Sequence, residues 1–236
     1  MKTKNLPMMR TISVMVCVLW CINIMAQDSI PFFSCAQIQK DNEALTTIKK
    51  KYKGSKKKWG AAIQEYHPLE NGNIQYTYIV EATDNFNIKT MMNNTQAWFG
   101  YITSSELASV KNVDDENHII EATTGFDNVA EASGYGSISI VGVVMNYRIS
   151  FKANRIKFVL WVSHYNIGTA SNFAKNKTEV IPIAEAYPVN PNGKHKSSLG
   201  AAFINVNAYC PTVAQSYLEY MEKHRCEDLK KKDTDW

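Results

Sequence analysis

VVMNYRISFKANRIKFVLWVSHY, residues Val143 to Tyr165, alternates apolar and polar side chains twice, on either side of a short polar break. Before the break, Val143, Met145, Tyr147, Ile149 and Phe151 share one face, and Val144, Asn146, Arg148 and Ser150 share the other. After it, Ile156, Phe158, Leu160 and Val162 alternate with Arg155, Lys157, Val159 and Trp161. A period of two is that of a β-strand with one face buried, so the stretch reads as a hairpin in an antiparallel sheet covered on one side. Lys152, Ala153 and Asn154 make the turn, with Asn154 expected to take the positive φ that hairpin turns favour.

Working outward, Ile74 to Ala82 (IQYTYIVEA) alternates in the same way and reads as a strand. Thr83 to Asn85 offer helix caps, and Asn87 to Leu107 carries Ile88, Met91, Met92, Thr95, Trp98, Phe99 and Ile102 at helical spacing. That stripe reads as core laid on a sheet, and Met91, Met92 and Trp98 are not a cofactor box. His118 to Thr123 and Ser137 to Val144 are further strands, with turns or a bulge around Gly125, Gly134 and Gly136. One strand, one long helix and then consecutive strands indicate an α+β fold, not a parallel α/β one. Beyond the hairpin, residues 169–200 carry Pro182, Pro188, Pro191 and Gly193 and read as an irregular connector. Pro211 is expected to open a C-terminal helix, since proline suits a first helical turn.

The chain has 236 residues and a formal net charge of +4, from 26 basic and 22 acidic side chains. Lys2, Lys4 and Arg10 precede an apolar run that ends at Ala26, the pattern of a secretory leader cut between Ala26 and Gln27. Removing those three cations leaves +1, which gives no global electrostatic case for nucleic acid. The expectation is export to the periplasm or cell exterior, with no membrane span after cleavage. Cys35, Cys210 and Cys226 would remain. Cys210 and Cys226 fall on one expected helix about 24 Å apart at 1.5 Å per residue, too far to bridge. A disulfide would therefore join Cys35 to Cys210 or Cys226; the other reading is three unpaired thiols used as small hydrophobes.

Two places invite a binding role. The outward face of the hairpin mixes Trp161, Val159, Arg148 and Lys157, a combination suited to contact. The run Lys49 to Trp59 offers Lys56, Lys57, Lys58 and Trp59 to an anionic surface, although a solvated basic loop explains the same residues. No metal, phosphate-loop or nucleophile-elbow motif is present, and no cofactor is expected. Cys210 with His195 or His164 is the one nucleophile-and-base pair that can be assembled, and it reads as a structural cysteine beside surface histidines.

From Ile74 to about Tyr165, roughly two-fifths of the chain, the sequence resembles the exported bacterial family called domain of unknown function 4468, which has a TBP-like fold. The resemblance rests on the strand ending in Val80-Glu81, the Trp98-Phe99 pair, and the hairpin NYRISFKANRIKFVLWV with its Arg155. It implies a curved antiparallel sheet with a long helix on one face, and it supplies no catalytic residues. A DNA-binding role does not follow from the fold name, because one fold hosts unrelated functions. The expected division is a leader (1–26), a basic N-terminal extension (27–73), the α+β domain (74–168), the connector (169–200) and a C-terminal strand or helix segment (201–236). The expected function is an exported non-enzymatic module that binds a small ligand or a protein partner in the cell envelope. The alternative is a hydrolase or transferase acting on envelope polymers through a dispersed site.

Overall fold

The structure, a computed structural model, describes residues 31–52, 56–102, 109–134, 136–171, 175–190 and 193–225, without the side chains of 56, 57 and 59. The leader with its Ala26/Gln27 cut and Cys226 lie outside these. In chain order the elements are β1 (Phe33–Ser34), α1 (Ala36–Lys51), α2 (Lys56–Tyr66), β2 (Ile74–Ala82), α3 (Ile88–Ile102), β3 (Ser109–Asp114), β4 (Ile119–Gly134), β5 (Ser137–Lys152), β6 (Arg155–Ser171), β7 (Lys177–Pro182), α4 (Ile183–Ala186) and α5 (Lys196–His224). The fold is α+β, a curved and unclosed antiparallel sheet with helices on one face.

The central alternation is realised residue by residue. Val143, Met145, Tyr147, Ile149 and Phe151 on β5, and Ile156, Phe158, Leu160 and Val162 on β6, are all buried. The turn is Ala153-Asn154 between the paired residues Lys152 and Arg155. Asn154 does not take the positive φ expected of it. Instead the turn is held from outside, where the Phe86 and Ala82 amides donate to the carbonyls of Ala153 and Asn154.

The strand order is β1-β2-β6-β5-β4-β3, and β7 also pairs with β6. β5 lines one side of β6 throughout, so β2 and β7 share the other side end to end, against residues 155–162 and 164–169. Where one neighbour gives way to the other, β6 carries an extra residue: Val143 faces Tyr165 but Met145 faces Val162. Such a bulge moves the inward phase by one position. Tyr165 and Ile167 are therefore buried, where strict alternation from Val162 would place His164 and Asn166 inside.

Trp98 centres the core beneath this sheet. Its indole meets Tyr147 (6.2 Å), Phe158 (6.0 Å) and Tyr217 of α5 (5.0 Å) edge-on, an arrangement that aromatic quadrupoles favour. Thr95, one turn earlier on α3, bonds the Met91 carbonyl (2.8 Å) and the Tyr217 hydroxyl (2.9 Å), which satisfies a polar group inside the apolar layer.

Three readings need correction. The C-terminal helix begins at Lys196, and Pro211 lies inside it. Proline has no N–H, so the carbonyl of Asn207 loses its helical donor; the buried Tyr76 hydroxyl of β2 approaches that carbonyl (3.4 Å) and donates to Asn207 Oδ1 (3.1 Å). The stretch 169–200 is not irregular: it holds the end of β6, all of β7 and α4, and the start of α5. The lysine run is not a loop either, since Lys49 to Lys51 close α1, where the helix dipole favours cations, and Lys56 opens α2.

Two helices, α1 and α2, precede Ile74. α1 buries Ile38, Asp41 and Leu45, and the carboxylate in the middle of that stripe breaks its apolar signal. Asp41 accepts from Gln37 Nε2 (2.8 Å), Tyr66 Oη (2.8 Å) and Tyr78 Oη (2.9 Å), which joins α1, α2 and β2. Partial burial, and then the Asp41 carboxylate, push the Tyr66 phenol up to about 12. Burial first, and then Asp41, push Tyr78 far higher.

Candidate binding face

Buried contacts place α1, α2, α3 and α5 on the inner side of the sheet, and none of the described helices covers the outer side. The register sets out that open face in rows across the strands. One row runs Gln75 (β2), Trp161 (β6), Asn146 (β5), Thr123 (β4) and Ser109 (β3). The next runs Thr77, Val159, Arg148 and Glu121, and a third runs Ile79, Lys157, Ser150 and Ile119. Trp161, Arg148 and Lys157 are thus brought onto one surface, as the alternation required.

The charges of this face are largely met within it. Arg148 and Glu121 are cross-strand partners 3.4 Å apart, and Arg155 and Glu81 are partners at 3.7 Å. Both pairs are exposed, so each contributes at most about 1 kcal/mol to stability; their effect is to lower the face's net field. Lys157 and Lys152 stay exposed and pair with no carboxylate among the described residues. Trp161 is half-buried, as expected of an indole leaning on its strand neighbours with one part open to water.

Beside the Trp161 row lies a groove of about 490 Å³, with Gly125, Gly142 and Gly168 among its lining residues and Lys111 and Asp127 at its rim. It arises from a second bulge. Between the pairs Phe126–Val143 and Ala130–Val141, β4 carries two more residues than β5, and its backbone folds over Gly142. A Cβ at Gly142 would meet the Phe126 carbonyl oxygen at 3.0 Å and that of Asp127 at 3.3 Å, so only glycine lets β4 pass. At Gly168 a Cβ would meet nothing nearer than the Ile140 carbonyl at 4.0 Å. That glycine leaves the groove open and is not required by packing. Gly142 carries a signal readable in the sequence, glycine at an outward position of an otherwise regular strand, whereas Gly168 faces outward only through the β6 bulge.

The other candidates lie elsewhere. Lys58 is exposed on α2, within the helical layer; the side chains of Lys56, Lys57 and Trp59 are outside the described residues. Cys35 and Cys210 are free thiols, so the Cys35–Cys210 bridge is not formed. Cys210 is fully buried, and burial pushes its thiol far up, the reverse of an activated nucleophile. His164 bonds Ser163 (2.9 Å) at the β6 bulge.

His195, at positive φ before α5, takes part in a serine–histidine–carboxylate chain, with Ser139 Oγ 3.4 Å from Nδ1 and Glu179 Oε2 3.5 Å from Nε2. Both contacts exceed the span of about 2.6–3.2 Å of a working nucleophile and base. Lys177 shares the same Glu179 oxygen at 3.4 Å, and Ser139 sits on the inward face of β5 beside Thr169 (3.4 Å). Lys177 first, and then His195, hold the Glu179 carboxyl below its usual range. The cluster fastens β5, β6 and β7 to the start of α5.

No family model and no curated protein matches the chain. Two solved structures resemble it. One is a TBP-like protein from Parabacteroides distasonis, 20% identical, covering 64% of this chain and 96% of its own, with a TM-score of 0.38. The other is a DUF4468 family protein from Bacteroides ovatus, 12% identical, covering 74% of this chain and 91% of its own, with a TM-score of 0.39. Their descriptions are those of the family and fold that Ile74 to Tyr165 resembles.

Proposed function

We propose that this protein is an exported binding module that engages a ligand or partner of the cell envelope on the outer face of its sheet. The observation that carries the reading is a multi-stranded face without helical cover, with a half-buried tryptophan amid mixed polar and apolar neighbours. An aromatic side chain amid apolar and basic neighbours is the composition found at contact surfaces. Export is supported by the basic and apolar leader ending at Ala26.

Photo-crosslinking tests both parts. A photoreactive residue replaces Lys157 on the outer face or, in a second chain, Lys58 on α2, and cells are irradiated before fractionation. Adducts from position 157 alone, recovered outside the cytoplasm on a chain starting at Gln27, are the expected result. Equal labelling from both positions, or a cytosolic chain starting at Met1, overturns the reading.

A further inference from the structure

We propose that the outer face binds a neutral oligosaccharide chain, with one sugar ring stacked on Trp161 and the following rings laid along β5 into the glycine groove. This rests on the binding-face reading above and names the chemistry of the ligand. Five strands each bring a neutral amide or hydroxyl to the Trp161 row or the groove: Gln75 on β2, Asn166 on β6, Asn146 on β5, Thr123 on β4 and Ser109 on β3. Gln75 donates to Glu70. Asn146, Asn166, Thr123 and Ser109 are half-buried, and their side chains bond no other described residue.

Amides and hydroxyls carry donors and acceptors together, which is what a sugar's adjacent hydroxyls require. The indole offers a flat apolar surface for the C–H face of a ring. Outward positions from Asn146 through Val144 and Gly142 to Ile140 span about 20 Å at about 3.3 Å per residue, room for a chain of several rings. The groove volume of about 490 Å³ lies within the usual range of small-ligand sites.

Around the groove the charges are balanced, and the exposed Lys157 and Lys152 lie away from it, toward the hairpin turn. Arg148 and Arg155 are already matched by Glu121 and Glu81, and Lys111 shares the groove rim with Asp127. At the groove a polyanion would have to displace those partners, whereas a neutral polyhydroxyl ligand leaves them in place.

The test uses the full chain, expressed with its leader and purified as the cell processes it. Neutral gluco- and manno-oligosaccharides of increasing length are titrated by calorimetry, with a uronic-acid oligosaccharide for comparison. Affinity should rise with chain length. Trp161→Ala should weaken every neutral ligand tenfold or more. Gly168→Leu, whose Cβ meets nothing nearer than the Ile140 carbonyl at 4.0 Å, should weaken the longer chains severalfold and leave the shortest unchanged. Unaltered melting of both variants shows that the fold is retained. Binding of the acidic ligand alone, binding indifferent to Trp161→Ala, or no binding across the panel overturns the proposal. If position 157 still crosslinks a protein in that last case, the sugar assignment fails while the binding-face reading stands.

Discussion

Replacing Tyr76 with phenylalanine removes a single oxygen, and the structure places that oxygen at the weak point of the longest helix. Pro211 deprives the Asn207 carbonyl of its helical donor, and Tyr76 Oη sits 3.4 Å from that carbonyl and 3.1 Å from Asn207 Oδ1. Asn207 is 1% exposed, so water cannot take over. Leaving a buried acceptor unpaired costs about 1–3 kcal/mol. The shorter contact carries most of the loss and the longer one a smaller share, so Tyr76→Phe should cost about 2–3 kcal/mol. Pro211→Ala restores an N–H within reach of the Asn207 carbonyl. In that background Tyr76→Phe should cost about 1 kcal/mol less, because only Oδ1 is orphaned. Urea unfolding of the four proteins of this double-mutant cycle gives the coupling directly. Equal costs of Tyr76→Phe in both backgrounds would refute the assignment of Tyr76 as the surrogate donor.

Other perturbations check other parts of the fold. Leu160→Ala should cost about 2–5 kcal/mol as a buried large-to-small change, and Lys157→Ala under about 0.5 kcal/mol as a surface one; equal losses in denaturant melts would mean the faces of β6 are reversed. Gly142→Ala forces a Cβ onto β4 carbonyls and should cost about 1–3 kcal/mol, whereas Gly168→Ala should melt within about 0.5 kcal/mol of the parent. A phenol whose ionisation the fold pushes up stabilises the fold fully below its unfolded pKa of about 10 and loses that contribution as pH rises toward the folded value. Tyr66 is raised to about 12, and burial also raises Tyr76, Tyr78, Tyr147, Tyr165 and Tyr217. The phenolate absorbance of these buried tyrosines should therefore appear only together with unfolding, and their ionisation while the protein is still folded near pH 10 would contradict this.

The hairpin and α3 were legible because their signals are local: a period of two through Phe151 and Leu160, and helical spacing through Met91, Trp98 and Phe99. Failures occurred where the deciding group is distant in sequence. Nothing near Pro211 announces the Tyr76 hydroxyl that lets a helix run through it, so the proline read as a start. Asp41 interrupts the apolar stripe of α1, and its donors, Tyr66 and Tyr78, come from other elements. The open face was readable as Trp161, Arg148 and Lys157 on one parity. Its groove was not, since Gly142 and Gly168 resemble turn residues until the β4 bulge is seen crossing the first of them.

The Phe33 amide donates to Glu222 Oε2 at 2.9 Å, a contact spanning 189 positions, and the Arg225 guanidinium lies over the Phe32 ring. At about 5–20 residues per second, roughly 10–40 s of synthesis separate the two partners of that bond. For that interval β1 and α1 have no α5 to dock on, and Phe33, Ile38 and Leu45 keep their apolar surface in water or on a chaperone. Loop closure over so long a segment comes late in folding, after the local hairpin of β5 and β6 can form. A fold that β1 and α5 close together across 189 positions stays threadable until α5 has left the ribosome.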